Sequence, residues 1–379
     1  MKVFSQHKQL FKILGVLALC VGSFCGGLWV RDRLRSPEER LVDAAYRVIS
    51  SDSLFNINTR RELSYSAIRG MIDGIDDPYA ELVEPEAARN FMDTFAGQTG
   101  VVGLYAEKIE DRVVISIVFP NGPAAQAGLQ VGDVILAIDD VTLDKEVDSS
   151  ETGLMIRGLP GTSVHLQILR GQDVLEFDLI RQVREYVNFR TLPGGIGYIA
   201  LNAFNTTAAQ QMKDALTALV AEKPAGLIWD LRNNEGGDMQ AAQAILSNFI
   251  QEGLLFTADL THERTVKFFA TGGAIAADLP LVVLMDHTTY SAAETCAAAI
   301  AETGRGKTIG SNSYGKGIIQ ATIPLPDEAL LQMTIAKWRS PLGEWYQERG
   351  VSPQIEASDD PTTETDELLQ AAVSLLSAR

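Results

Sequence analysis

The sequence predicts an α/β core, a mixed sheet with packed helices, joined to a β-rich module, an N-terminal helical region and an N-terminal transmembrane helix. Three observations carry this. Beyond residue 195, apolar runs such as AGLIWDL (225–231) and LPLVVLMD (279–286) alternate with helical patterns, as strands buried on both faces of a sheet do. Between about 97 and 184, segments of six to eight residues alternate or run apolar with turn residues between them. Near the start, Ile13 to Val30 carries no charge. As a helix those 18 residues span about 27 Å, close to the roughly 30 Å of a hydrocarbon core.

The elements follow in order. Residues 1–35 form a short leader and membrane anchor, with the span at about 13–30. No small-x-small site follows the apolar run closely, and neither Cys20 nor Cys25 follows the small residue of a lipoprotein signal, so an uncleaved anchor is expected. Lys2, Lys8 and Lys12 before the span nearly balance Arg31, Arg33 and Arg35 after it, which leaves orientation open by charge. The short leader favours export of the bulk of the chain. Residues 36–96 read as helices: SPEERLVDAAYRVISS opens with a serine cap, and ELSYSAIRGMIDGI stops at DDPY.

In 97–184, VGLYAEKI, RVVISIVF, DVILAIDD, SVHLQILR and VLEFDLIR read as strands, with short helical pieces at GPAAQAGLQ and SSETGLMIRG. GPAAQAGLQVGDVILAIDD and the order around it resemble a PDZ domain. That resemblance implies capture of a peptide as an added strand, its terminal carboxylate held by the loop Gly100, Val101, Val102, Gly103 and Leu104. A plain spacer module is the alternative. Residues 185–358 supply the α/β core: GGIGYIALNAF, AGLIWDL and LPLVVLMD as strands, TTAAQQMKDALTALVAE and DMQAAQAILSNFI as helices. Residues 359–379 end in a helix, DELLQAAVSLLSAR, expected to pack on the core or the helical region.

Composition excludes several classes. A net charge of −17 with no long basic run argues against nucleic-acid binding. Three cysteines without ligand spacing and four scattered histidines offer neither a disulfide framework nor a metal site. GRGKTIG ends like a phosphate-binding loop, but Ala301 stands where the first glycine belongs and a helix precedes it.

The chemistry gathers around Ser291. With Glu294 it fits S-x-x-E, an ordinary capping box. Yet it stands where a buried strand turns into an alanine-rich helix, with its hydroxyl near the positive helix end. A serine hydroxyl needs a base. His287 beside Asp286 lies in the preceding turn and is the weaker candidate. Lys316 is the stronger, since burial lowers a lysine's pKa and Gly315 and Gly317 permit close approach. Gln320, four positions on, shares a strand face with Lys316 at about 13 Å, so contact needs a bend or a leaning side chain. Gly236 and Gly237 in WDLRNNEGGDMQ, with the amide of Ala292, offer oxyanion donors.

DLRNNEGG, YSAAE and YGKGIIQ, with serine and lysine 25 apart, resemble the carboxyl-terminal processing proteases, tail-specific serine peptidases with a PDZ domain. AIRGMIDGIDDPYAEL and IRGLPGTSV extend the resemblance from about residue 40 to the end. It implies a protease core with Ser291 as nucleophile, Lys316 as general base and Gln320 orienting the lysine, with no cofactor. It further implies cleavage near the C-termini of proteins with exposed tails, on the outer side of a bacterial cytoplasmic membrane, with a possible activating or adaptor protein. Glu235 departs from the usual proline before the glycine pair, Trp229 from a smaller aliphatic, and Gln354 from aspartate. The competing reading is a catalytically inactive, membrane-anchored PDZ adaptor; a Ser-His-Asp esterase is a third.

Overall fold

The computed structural model describes residues 36–54, 59–95, 99–119, 122–143, 147, 149–359, 363 and 365–378. The anchor expected at 13–30 lies outside them. Among the described residues no helix is long and apolar enough to cross a membrane. The chain divides into two compact units, Met1–Asp76 and Asp77–Arg379.

The first unit holds helices α1 (Pro37–Asp52) and α2 (Arg60–Asp73). Ser36 and Glu39 cap α1 reciprocally, with both side chain to backbone bonds at 3.1 Å. Thr59 accepts the Glu62 N–H at 3.0 Å to start α2, which stops at Gly74.

The second unit opens with a departure from the all-helical expectation for 36–96. Strand β1 (Glu81–Val83) precedes helix α3 (Pro85–Phe95). Only six residues separate Pro78 from Pro85, too few for a stable helix, and Glu81–Val83 pair instead with Leu330–Gln332 far along the chain.

The β-rich module follows: β2 (Gly100–Val101), β3 (Leu104–Ile109), β4 (Arg112–Val118), α4 (Pro123–Ala127), β5 (Val134–Ile138), β6 (Val141–Thr142), α5 (Ser149–Ile156), β7 (Ser163–Arg170) and β8 (Asp173–Ile180). Its sheet runs β3-β4-β5-β7-β8, with β6 on β5. Alternate residues, among them Val113, Ile115, Ile135, Val164, Leu166 and Ile168, fill its core. Buried Asp133 grips Arg170 through both oxygens at 2.7 Å, tying the turn before β5 to β7. Strand β9 (Gln182–Val183) pairs back with β2.

The core then runs β10 (Val187–Leu192), β11 (Ile196–Leu201), α6 (Thr206–Ala221), β12 (Gly226–Asp230) and α7 (Met239–Leu246). It continues with β13 (Leu254–Leu260), β14 (Thr265–Phe269), β15 (Leu281–Met285), α8 (Ala292–Glu302) and β16 (Lys307–Gly310). Strands β17 (Ile318–Pro324), β18 (Leu330–Arg339) and β19 (Ile355–Glu356) and helix α9 (Glu367–Ser377) complete it. The main sheet has the order β10-β11-β12-β15-β16-β19, parallel from β11 onward, with β10 antiparallel. Both faces are covered, so its strands are apolar throughout. Leu227, Trp229, Val283 and Met285 meet α6, α7 and α8 on one face; Ile228, Val282 and Leu284 meet Ala372 and Leu376 of α9 on the other. A second, antiparallel sheet joins β1, β13, β14 and β17 around β18.

Trp229, fully buried, stacks on Phe249 at 4.9 Å, which accounts for a large residue on this strand. Arg232, just beyond β12, binds Asp230, Asp359 and Asp366 and so fastens the start of α9 to the loop after β12.

Candidate active site

Three loops at the carboxyl ends of the core strands converge. The first follows β15. Asp286 accepts from the Thr288 N–H at 2.9 Å and the Thr289 hydroxyl reaches the Leu231 carbonyl at 2.8 Å, a turn built by short polar side chains. The turn delivers Ser291 with φ 60° and ψ −121°, a backbone state that costs a non-glycine residue about 1–3 kcal/mol. Its N–H donates to Glu294 Oε2 at 2.8 Å, the carboxylate half of the expected capping box. His287 is exposed in this turn, away from the role of base.

The second loop follows β12. Asn234 is fully buried; its side chain donates to the Leu201 carbonyl at 2.6 Å and accepts the Gly236 N–H at 2.8 Å. Its carbonyl takes the Tyr290 N–H at 3.1 Å, which clamps the loop to the serine turn. Gly236 has φ 85°, and a Cβ there would stand 2.9 Å from Ser291 Cβ and 2.8 Å from the Ala292 nitrogen. Gly236 therefore lies directly against the serine, and Gly237 against Phe204. Of the two amides, Gly236 is engaged by Asn234, whereas Gly237 is exposed and, among the described residues, donates to no protein acceptor. Ala292, at the first turn of α8, likewise keeps its N–H free of protein acceptors there.

The third loop precedes β17. Lys316 is half-buried, and its Nζ donates to Gln320 Oε1 at 2.7 Å. A regular strand would hold the two apart, but β17 begins only at Ile318 and its register slips between Ile319 and Gln320. Gln320 in turn donates to the Tyr79 carbonyl at 2.9 Å. The Tyr79 and Tyr290 rings lie 5.3 and 5.9 Å from Lys316 Nζ. Trp338 Nε1 holds the Lys316 carbonyl at 2.7 Å. Burial lowers the Lys316 pKa from the ordinary lysine range, against the opposing fields of Glu235 and Glu294.

Ser291 and Lys316 are thus brought together by their backbones: both N–H groups bind Glu294 Oε2 at 2.8 Å, so the two nitrogens are at most 5.6 Å apart. Among the described residues no hydrogen bond joins the serine hydroxyl to the amine, a looseness common in unliganded sites. A neutral amine can donate to Gln320 while its lone pair faces a hydroxyl. The arrangement offers a hydroxyl, a partly desolvated amine and two free amides within one small region, the parts acyl transfer requires.

The sequence reading passed over Glu294 as a structural group, and missed Tyr79 and Trp338. A carboxylate in the first turn of a helix that is apolar or small up to its final Glu302 was a visible signal for the first; the other two depend on distant packing. In the β-rich module, Gly100 and Val101 are taken up by β2, Gly100 also exchanging bonds with Gly158. Of the segment expected to hold a carboxylate, Leu104 opens β3, which leaves Val102 and Gly103 between strands, Gly103 at φ 77° and packed against Gly122. Gln354 meets the core through its backbone N–H, on Thr308 Oγ1 at 2.9 Å.

Comparison with known proteins agrees with this layout. The description "Peptidase family S41" fits residues 195–357 and "PDZ domain" fits residues 100–180. The chain is 34% identical over 334 residues to a carboxyl-terminal-processing protease of Synechocystis sp., covering 83% of this chain and 77% of that protein. It is 28% identical over 321 residues to the carboxy-terminal processing protease CtpB of Bacillus subtilis, covering 83% of this chain and 66% of the relative. Among solved structures, the photosystem II D1 C-terminal processing protease superposes with a TM-score of 0.53 at 27% identity, over 85% of this chain and 88% of that one.

Proposed function

The chain belongs to the carboxyl-terminal processing proteases of peptidase family S41, and from that premise we propose that it is a membrane-anchored serine endopeptidase working by a Ser/Lys mechanism. The neutral Lys316 amine takes the Ser291 proton as the oxygen attacks a peptide carbonyl. The Gly237 and Ala292 amides receive the negative charge that develops on the carbonyl oxygen. The lysine then hands its proton to the leaving amine, freeing the C-terminal fragment, and afterwards deprotonates the water that hydrolyses the acyl-enzyme. Gln320 orients the amine throughout. The observation that carries this reading is the Lys316–Gln320 contact at 2.7 Å beside a serine turn bound to the same carboxylate oxygen.

The PDZ domain binds substrate tails through the loop Val102–Gly103 and the start of β3 at Leu104. Ile13 to Val30 anchors the enzyme in a bacterial cytoplasmic membrane with the catalytic unit outside, where an activating or adaptor protein can meet it. The test is cleavage of a loosely folded protein by the wild type, Ser291→Ala and Lys316→Ala between about pH 6 and 10. Loss of cleavage in both variants, with a wild-type rate rising with pH, is expected. Cleavage surviving in Lys316→Ala would overturn the mechanism, and a folded, inert wild type would favour the adaptor.

A further inference from the structure

Glu294 is fully buried in α8. A buried carboxylate is costly unless its lone pairs are satisfied. Here each oxygen takes two donors. Oε1 accepts the Ser313 hydroxyl at 2.5 Å and the Gly315 N–H at 2.7 Å; Oε2 accepts the N–H groups of Ser291 and Lys316, both at 2.8 Å. Ser313 Oγ itself accepts the Val351 N–H at 2.7 Å, so its proton points at Glu294. All four partners donate, which selects the ionised carboxylate although burial pushes its pKa up.

We propose that Glu294 is a positioning residue for acyl transfer, one carboxylate oxygen holding the main chains of nucleophile and base at a fixed separation. This inference rests on the Ser/Lys reading above. It carries a built-in conflict, because the anion that sets the geometry also favours the charged lysine, the form that cannot act as base. The groups facing the Lys316 amine are Glu235 from the loop after β12, Glu294 from α8, Tyr290 from the serine turn, Tyr79 from the turn before β1 and Gln320 from β17. Two of these are anionic. Removing Glu294 therefore has two separable effects: worse geometry and a lysine that loses its proton more readily.

Glu294→Gln tests this. Its amide can satisfy only one of the two donor pairs, because its NH2 confronts the other. Expected is a folded protein whose kcat falls on the order of a hundredfold with KM little changed, while the acid limb of the pH–rate profile moves to lower pH. Ser313→Ala, which keeps the charge, should lower kcat several-fold and leave the limb in place. A folded Glu294→Gln with wild-type kcat, or with an unmoved limb, overturns the proposal. If Glu294→Gln does not fold, an unaltered kcat in Ser313→Ala overturns it instead. Cleavage persisting in Lys316→Ala would refute the Ser/Lys reading itself, a result separate from either.

Discussion

Substituting Gly236 by alanine tests how closely the glycine loop approaches the serine. At φ 85° an alanine pays about 1–2 kcal/mol for its backbone. Its Cβ would stand 2.7 Å from the Tyr290 carbonyl oxygen, 2.8 Å from the Ala292 nitrogen and 2.9 Å from Ser291 Cβ, two of them backbone atoms with little freedom to yield. The methyl group crowds the Ala292 nitrogen, whose N–H an oxyanion must approach to about 2.7–3.1 Å. Loss of one such donor costs roughly 10²–10³ in kcat, or about 2.7–4 kcal/mol. Backbone strain and crowding together, about 2–5 kcal/mol, should lower the melting temperature by roughly 4–20 °C, at about 2–4 °C per kcal/mol for a domain of 150–250 residues. The assay is kcat/KM on an unstructured peptide, with thermal unfolding in parallel. A folded Gly236→Ala enzyme retaining more than about a tenth of wild-type kcat/KM would refute the proposed oxyanion geometry. Gly237→Ala is a poorer probe, since its Cβ would collide with the Phe204 carbonyl and endanger the fold.

Further outcomes follow from the same structure. Glu235 raises the Lys316 pKa, so Glu235→Gln should move the acid limb of kcat/KM to lower pH and increase activity near neutrality; a pH–rate profile checks this, and an unmoved limb counts against it. Burial pushes the Asp133 carboxyl up, but Arg170 and the Gln130 N–H outweigh it and hold the pKa low. Its contribution is thus complete above the unfolded-state pKa and is lost as pH falls through the folded one. Asp133→Asn should cost the PDZ domain about 1.5–3 kcal/mol at neutral pH, measured by thermal unfolding. Arg232→Ala strands buried Asp230 and releases Asp366 and Asp359; it should cost about 3–5 kcal/mol and speed amide exchange in α9, visible by mass spectrometry.

The buried strands β12 and β15 were legible because a strand covered on both faces has little choice but apolar residues. Helix starts were legible where a cap announced them, as Ser36 does with Glu39. The residues of the site were legible as chemistry, a serine at a strand-to-helix turn and a lysine between glycines. Their contacts were not. Lys316 reaches Gln320 through a register slip at Ile319, which no spacing rule encodes. Strands β1, β13 and β18 escaped notice because their pairing is remote: Asp259 meets Arg339 across 80 positions and Leu82 faces Leu331. Glu294 announced its helix start, but its hold on the lysine loop depends on how α8 packs.

The hydrogen bond from Gln320 to Tyr79 joins positions 241 apart. At ribosomal rates of about 5–20 residues per second, roughly 12–50 s separate the synthesis of the two ends of that bond. Throughout that interval the chain owns a serine turn at most, with no lysine braced to serve it. On the proposed mechanism, a growing chain cannot attack its own loose end or that of a neighbour until Gln320 has been made. Catalytic competence arrives late, once the two distant ends of that bond have met.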